Sequence, residues 1–478
     1  MTPPPVMPKP GAPTRSTLLG TSAYLFLIRF FPTLASVGAL VWLARHTSAD
    51  YYGRYQSFWV QWQVLHVVAC LGLPTLVLTY PLATVNALAQ RLTARRLAVL
   101  ATWVSGGAGA LVLAQHYTGS VFGKWQAGAF LLLNVPVAVL EAYALLGRQF
   151  RPAALVSIIY AGLFALSHVL LVAGVLSSAQ LMNLLLVGNG LRLLVLARLA
   201  QRLQAQNHQV LAEFPNGLRS LWAHTALNEV VQILFRWVDK LAVGLLLPAA
   251  LFALYFNGTI DVPFLPVLLG AAGSALLLHF HEPEVSDAER VQLLRATATL
   301  LGRLVFPLFF LLVLFRRELF GVVFAHRYDA AVPLFLLSSL VIPLRAYNFT
   351  ALLQHKGQGR IITTGAVLDL LVALVLMYVL YQVVGLGLAG VALAFVISTW
   401  LQAGYYLWHT ARLLGRPWYA LLPLRSWAMQ VVGAGLGLLL LHEVLVRKLS
   451  ETGVLWAGAG VVGLWLALQL WLARRATR

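Results

Sequence analysis

Apolar stretches of about twenty residues follow one another along nearly the whole chain, and no polar stretch between them is long enough to fold alone. They cover residues 17–44, 56–82, 97–116, 126–146, 153–174 and 181–198. A second series covers 222–248, 251–281, 298–315, 330–353, 361–383 and 388–408, followed by 427–446 and 454–472. At ~1.5 Å per residue each can cross a hydrocarbon layer about 30 Å thick. Backbone groups find no water there, so repeated runs of this length fold as helices. The expectation is an all-α polytopic membrane protein with about 14 transmembrane helices. Composition agrees, with 60% hydrophobic and 10% charged residues where a soluble chain carries about 25% charged.

The formal net charge is +19, a balance that in a soluble protein points to nucleic acid. Here the positions exclude that reading, because the basic residues gather in short alternate connections: Arg91, Arg95 and Arg96; Arg148 and Arg151; Arg198 and Arg202; Lys356 and Arg360; Arg412 and Arg416. The connections between them hold little beyond Arg45, Arg54, Lys124, Arg316, Arg317, Arg327, Arg447 and Lys448. Such an asymmetry places the richer side, and both termini, in the cytoplasm. Residues 1–16 are Pro-rich, lack the apolar core of a secretory signal, and read as a disordered cytoplasmic tail. Tyr52-Gly-Arg-Tyr55 and Phe252-Ala-Leu-Tyr255 recur at the same point of the two series. A duplicated parse follows, with a six-helix bundle over 17–200, a cytoplasmic linker over 201–221, a second bundle over 222–412, and a further helix pair with its tail over 413–478.

One stretch breaks the apolar pattern. His224 to Pro248 is long enough to span, yet carries Glu229, Arg236, Asp239 and Lys240. At ~100° per residue Thr225, Glu229, Gln232, Arg236 and Lys240 share a stripe, with Asn228 and Asp239 at its edge. Arg236 lies ~21 Å along the helix from Trp222, well inside the hydrocarbon. A charge facing lipid there costs at least ~2.5–3.5 kcal/mol, so the stripe faces a bundle interior or a watery cavity. Two readings remain open: an ion-pair set such as Arg236 with Asp239 that joins helices, or a solute-lining face. Other charges inside spans are Arg29, with Thr33 and Ser36 on its face; Arg345, with Ser338 and Asn348; Asp261, just before Pro263 and Pro266; and Asp369. Glu141 and Arg192 lie towards span ends, where they can snorkel.

Soluble-enzyme motifs are nearly absent. Gly385-Leu-Gly387-Leu-Ala-Gly390 and Gly458-Ala-Gly460-Val-Val-Gly463 satisfy a dinucleotide-binding spacing but follow no strand, so close helix packing explains them. Cys70 is the single cysteine, which rules out an intramolecular disulfide. No metal site is expected. The segment Glu282 to Arg295 reads as a short amphipathic surface helix.

Taken together, Asp50-Tyr-Tyr-Gly-Arg-Tyr55 with Leu71-Gly-Leu-Pro74, Phe235-Arg-Trp-Val-Asp239-Lys240, Arg327-Tyr-Asp-Ala-Ala331, Gln354-His-Lys-Gly-Gln-Gly359 and the 385–390 box resemble the multidrug/oligosaccharidyl-lipid/polysaccharide exporter superfamily, in its O-antigen-flippase-like polysaccharide-transporter branch. The resemblance implies two six-helix bundles around a central cavity plus a C-terminal helix pair, working by alternating access. It implies a flippase, not an enzyme, that moves a polyprenyl-diphosphate-linked oligosaccharide across a bacterial cytoplasmic (inner) membrane for surface polysaccharide, O-antigen or lipopolysaccharide biosynthesis. On depth and face, Arg29, Arg236, Lys240 and Arg345 are the expected diphosphate ligands. Asp239, Asp261, Asp369 and Glu229 are the expected cavity polar or ion-coupling groups, for a proton or sodium ion. Membrane lipids, a polymerase and glycosyltransferases are the implied partners. The alternatives are an ion-coupled drug or metabolite exporter of the same fold, and a membrane glycosyltransferase or polymerase.

Overall fold

The computed structural model describes residues 15–206, 218–262, 273, 276, 279–280 and 286–476. Every regular element among them is helical. In chain order these are α1 (Arg15–His46), α2 (Ala49–Cys70), α3 (Leu73–Thr79), α4 (Leu82–Gln90), α5 (Ala94–Thr118), α6 (Lys124–Leu146), α7 (Phe150–Val172), α8 (Ser178–Gln206), α9 (Leu218–Leu246) and α10 (Ala249–Gly258). There follow α11 (Asp287–Leu314), α12 (Arg316–Phe324), α13 (Val332–Ser339), α14 (Ala351–His355), α15 (Gly359–Tyr378), α16 (Gly387–Leu413), α17 (Leu424–Val446) and α18 (Glu451–Ala476). The expected residues 1–14 of the tail, and residues 207–217 of the linker, lie outside the described residues.

Ten described helices are long and apolar enough to cross a membrane, or eleven if the bent pair α2 and α3 forms one span. The multi-pass, all-α expectation holds, and the count of fourteen is met only this far. The three windows that fall short do so for different reasons. Helix α9 is continuous over 29 residues, but its charged stripe lowers its apolarity. The window 251–281 begins with the 10-residue α10 and then passes, at Pro263, outside the described residues. The window 330–353 is broken: α13 stops at Ser339, a 3₁₀ turn covers Ile342–Ala346, and Tyr347 is extended (φ −136°, ψ 140°). Pro343 at the start of that turn cannot donate to the preceding turn, so the break is written in the sequence.

The bend of 51° between α2 and α3 has a similar local cause. Leu71 (φ 49°) and Gly72 (φ 67°) are both left-handed, which stops a right-handed helix, and Pro74 starts the next one. From Ser286, where the described residues resume, the expected Glu282–Arg295 surface helix is not a separate element. Ser286 caps α11 in a capping box with Glu289, so the polar run is the first turns of a 28-residue membrane helix.

The chain divides into two compact units. The first comprises Met1–Leu40, Ala69–Ala110 and Phe122–Thr225. Its core joins Val77, Val85, Ala142, Tyr143, Ala200 and Leu203, and the Tyr143 hydroxyl donates to Asn86. The second comprises Val41–Val68, Leu111–Val121 and Ala226–Arg478. The two duplicated boxes meet inside this second unit. Tyr52, Phe252 and Tyr255 are fully buried, and the Tyr52 hydroxyl donates to Asn257 Oδ1 at 2.8 Å. Gly53 is the residue that permits the crossing, since a Cβ there would lie 1.8 Å from the Ala249 carbonyl oxygen. The 385–390 box is likewise a packing device: a Cβ on Gly390 would lie 2.8 Å from the Leu380 backbone. Helix α17 is tied to α11 through Trp427 Nε1, donating to the Ala298 carbonyl at 3.0 Å.

Candidate ligand site in the second unit

The polar stripe of α9 changes character along its length. Asn228, Gln232 and Arg236 are exposed, whereas Val238, Asp239 and Lys240 are buried. The buried turn is internally paired: Lys240 Nζ lies 3.4 Å from Asp239 Oδ2, the Tyr255 hydroxyl donates to the same oxygen at 2.9 Å, and Lys240 sits 5.5 Å from the Trp237 ring centroid, while Asp239 Oδ1 has no hydrogen-bond partner among the described residues. Two desolvated charges persist only when paired in this way. Thus Asp239 and Lys240 neutralise each other, and the residue that pairs Asp239 is Lys240, not Arg236. Glu229 is half-buried and already engaged with protein groups.

Arg236 is brought together with two of the other expected residues. Arg345, in the 3₁₀ turn, lies within Coulombic range of both Asp261 and Arg236, and all three side chains are exposed. Asp261 follows the end of α10 at Gly258, so a helix end, a broken span and a continuous helix converge there. Among the described residues neither Arg236 nor Arg345 has a carboxylate at salt-bridge distance. Arg345 does not share a helical face with Ser338 and Asn348, because the span is broken between them. Ser338 Oγ donates to the Gly258 carbonyl at 2.9 Å, and Asn348 Oδ1 accepts from the Ala351 N–H at 3.1 Å, starting α14. A pair of open guanidiniums with one carboxylate in range can bind a multivalent anion, to which arginine offers forked donors.

Asp369 stands apart from this group. It is 3% exposed on α15, beside Ser398 and Tyr406 of α16. Neither carboxylate oxygen has a well-formed hydrogen bond among the described residues, and the Ser398 hydroxyl is a donor within reach. The nearby hydroxyls are directed elsewhere, Ser398 to the Phe395 carbonyl at 3.0 Å and Tyr406 to the Ile362 carbonyl at 2.8 Å. A buried carboxylate left in this way is suited to taking up a proton or a cation.

Arg29 belongs to the first unit, where it is exposed on α1. Thr33 is on its face but donates to the Arg29 carbonyl at 2.8 Å. The pair Glu141 and Arg192, which the sequence alone places near span ends, is instead a direct ion pair between α6 and α8. Arg192 lies 5.3 Å from the Tyr160 ring centroid, and the Tyr160 hydroxyl accepts from Asn189 Nδ2 at 2.7 Å. The missed signal was chemical: an acid and a base that both lie inside spans are candidates for each other.

No family model matches the sequence, and no curated protein does. The fold is nevertheless shared with solved structures of a lipid II flippase and of MATE transporters. The lipid II flippase MurJ in an inward closed conformation superposes with a TM-score of 0.65 over 96% of this chain and 99% of its own, at 14% identity. A multidrug resistance MATE family transporter in an inward-facing conformation gives 0.54 over 83% and 98%, at 14% identity. The MATE multidrug transporter DinF-BH, solved as a complex, gives 0.52 over 83% and 95%, at 15% identity. The expected superfamily resemblance is borne out at the level of the fold, and the protein is a multi-pass membrane protein.

Proposed function

We propose that the protein is a flippase that carries a polyprenyl-diphosphate-linked oligosaccharide from the cytoplasmic to the outer leaflet of a bacterial inner membrane, with both termini cytoplasmic and no covalent chemistry. The observation that supports this reading is the pair Arg236 and Arg345, open and without a carboxylate at bonding distance among the described residues. A membrane protein that keeps two such charges within mutual range bears their repulsion and desolvation, and a diphosphate offsets both. Arg29, expected among the ligands, lies on α1 of the first unit and is not part of this pair. Lys240 drops out of the ligand set in this reading, because Asp239 already satisfies it. A proton or sodium ion couples through Asp369, with Asp261 as a cavity acid. Glycosyltransferases that build the cargo and a polymerase that consumes it are the partners, for a surface polysaccharide such as O-antigen.

The test is translocation of a fluorescent polyprenyl-diphosphate oligosaccharide in proteoliposomes, for wild type and for Arg236→Ala/Arg345→Ala. Each charge-assisted contact contributes about 1.5–3 kcal/mol, so the double change is expected to slow flipping at least ~100-fold without loss of fold. A second reading, an exporter of organic cations, draws on the MATE likeness and on the buried Asp369. It replaces the first if wild type leaves the lipid in place but moves a cationic dye along an ion gradient, and Asp369→Asn stops that movement.

A further inference from the structure

Away from the α9 group, a cavity of ≈ 500 Å³ opens between the first turns of α11 and the start of α17. Gln292, Arg295 and Thr299 line it from α11, and Arg425, Ser426 and Met429 from α17. Both arginines are exposed, and among the described residues neither guanidinium has a hydrogen-bond or ion-pair partner. The walls are held in place without a ligand. Trp427 Nε1 donates to the Ala298 carbonyl at 3.0 Å, and Gln430 Nε2 to the Thr299 carbonyl at 3.1 Å and to Ser426 Oγ at 3.3 Å. The Ser426 oxygen therefore accepts, which leaves its proton for a guest. Helix α17 has no side-chain cap, and its first backbone bond runs from the Trp427 N–H to the Pro423 carbonyl. The N–H groups of residues 424–426 thus add donors on the same side as the two arginines.

A second observation says what kind of anion fits. Below Arg425, at helical spacings of four, three, four and four residues, Met429, Val432, Leu436 and Leu440 form one exposed apolar stripe, 63%, 56%, 57% and 66% accessible. Helix α17 buries only Leu438. Two free cations at a helix end, continued by an apolar face along a membrane helix, match the outline of a lipid with an anionic phosphate headgroup. We propose that this cavity binds the phosphate headgroup of an anionic phospholipid, with its acyl chains along the α17 stripe. The bound lipid bridges α11 and α17. The site is independent of the transported cargo and lies on other residues than Arg236 and Arg345.

Native mass spectrometry of the full-length protein, with phosphatidylglycerol or phosphatidylcholine of the same acyl chains, tests this. Wild type is expected to bind phosphatidylglycerol roughly 30-fold more tightly than phosphatidylcholine, at about 1 kcal/mol per arginine near a surface. Arg295→Ala/Arg425→Ala should abolish that preference, Arg295→Lys/Arg425→Lys should keep most of it, and Arg447→Ala/Lys448→Ala, at the far end of α17, should keep all of it. A melting curve of the double alanine variant close to that of wild type separates lost binding from lost fold. The proposal is overturned if the double alanine variant keeps the preference, if phosphatidylcholine binds as well, or if millimolar inorganic phosphate displaces the lipid and stabilises the protein alone.

Discussion

Arg236 and Lys240 sit one helical turn apart on the same stripe of α9, and they have opposite fates. Arg236 is exposed and lies within Coulombic range of Arg345, with no carboxylate at salt-bridge distance among the described residues. Lys240 is 8% exposed, paired to Asp239 and enclosed by Trp237 and Tyr255. Residue type, depth and helical phase are nearly the same, so none of them separates an open charge from a paired one. What packs against the turn does: α10 brings the Tyr255 hydroxyl onto Asp239, and among the described residues Arg236 has no such partner. The Glu141 and Arg192 pair in the first unit repeats the sealed arrangement. The lesson is that a charge inside a span marks a site only when its counter-charge is missing.

The comparison is broken most forcefully from its sealed side. Asp239→Ala leaves Lys240 buried and unpaired, and should cost about 3–5 kcal/mol, read as a large fall in melting temperature. Adding Lys240→Met should recover most of that loss, because an apolar pair of similar volume needs no desolvation. If the double variant flips cargo at the wild-type rate, Lys240 has no part in binding. If flipping is lost while stability returns, Lys240 does contact the cargo and the division drawn here fails.

The open side is sharpened by giving Arg236 the partner it lacks. Gln232 is exposed one turn away on the same face, so Gln232→Glu creates an i, i+4 pair. Its effect on stability should be small, about 0.3–0.5 kcal/mol. If Arg236 holds the diphosphate as proposed, flipping is expected to fall roughly tenfold, since an arginine engaged at one of its forks is a poorer ligand for it. An unchanged rate would show that Arg236 does not meet the cargo.

A solvent-exposed cation marks the weak end of the scale. His326 lies between Asp329, 3.0 Å from Nδ1, and Glu451, 2.9 Å from Nε2, which joins the start of α18 to the corner after α12. The hydrogen bond to Asp329, followed by the charge of Glu451, holds its pKa above the ordinary value. A raised pKa in the folded state means that the added stability is complete below the unfolded value near 6.5, and fades as pH rises through the folded value. His326→Gln should therefore lower the melting temperature by a degree or two at pH 5.5 and by less at pH 9. A difference that grows with pH would contradict the assignment.

Much of the fold was legible before any coordinates. The apolar windows forced helices, and the 52–55 and 252–255 boxes stood out as a repeat, because such features act within a few residues; that the boxes pack on each other and that the chain breaks at Leu71-Gly72 came only from the structure. The capping box at Ser286 and Glu289 was equally local, although without the helix that followed it the segment read as a surface helix. Span 330–353 was misread as one helix, since length and apolarity alone register neither Pro343 nor the extended Tyr347. Which charges stand together was not legible. Arg345 and Arg236 are far apart in sequence, as are Glu141 and Arg192, and periodicity within a helix says nothing about what faces it across a gap.

The sequence by itself determined that this protein lives in a membrane as a helical bundle, and which of its residues are too polar for lipid, because hydration and backbone hydrogen bonding are properties of each segment. The tertiary structure alone decided which of those residues are satisfied. Pairing depends on the few ångströms between side chains on different helices, and in a low-dielectric interior that distance settles whether a charge is silent or available.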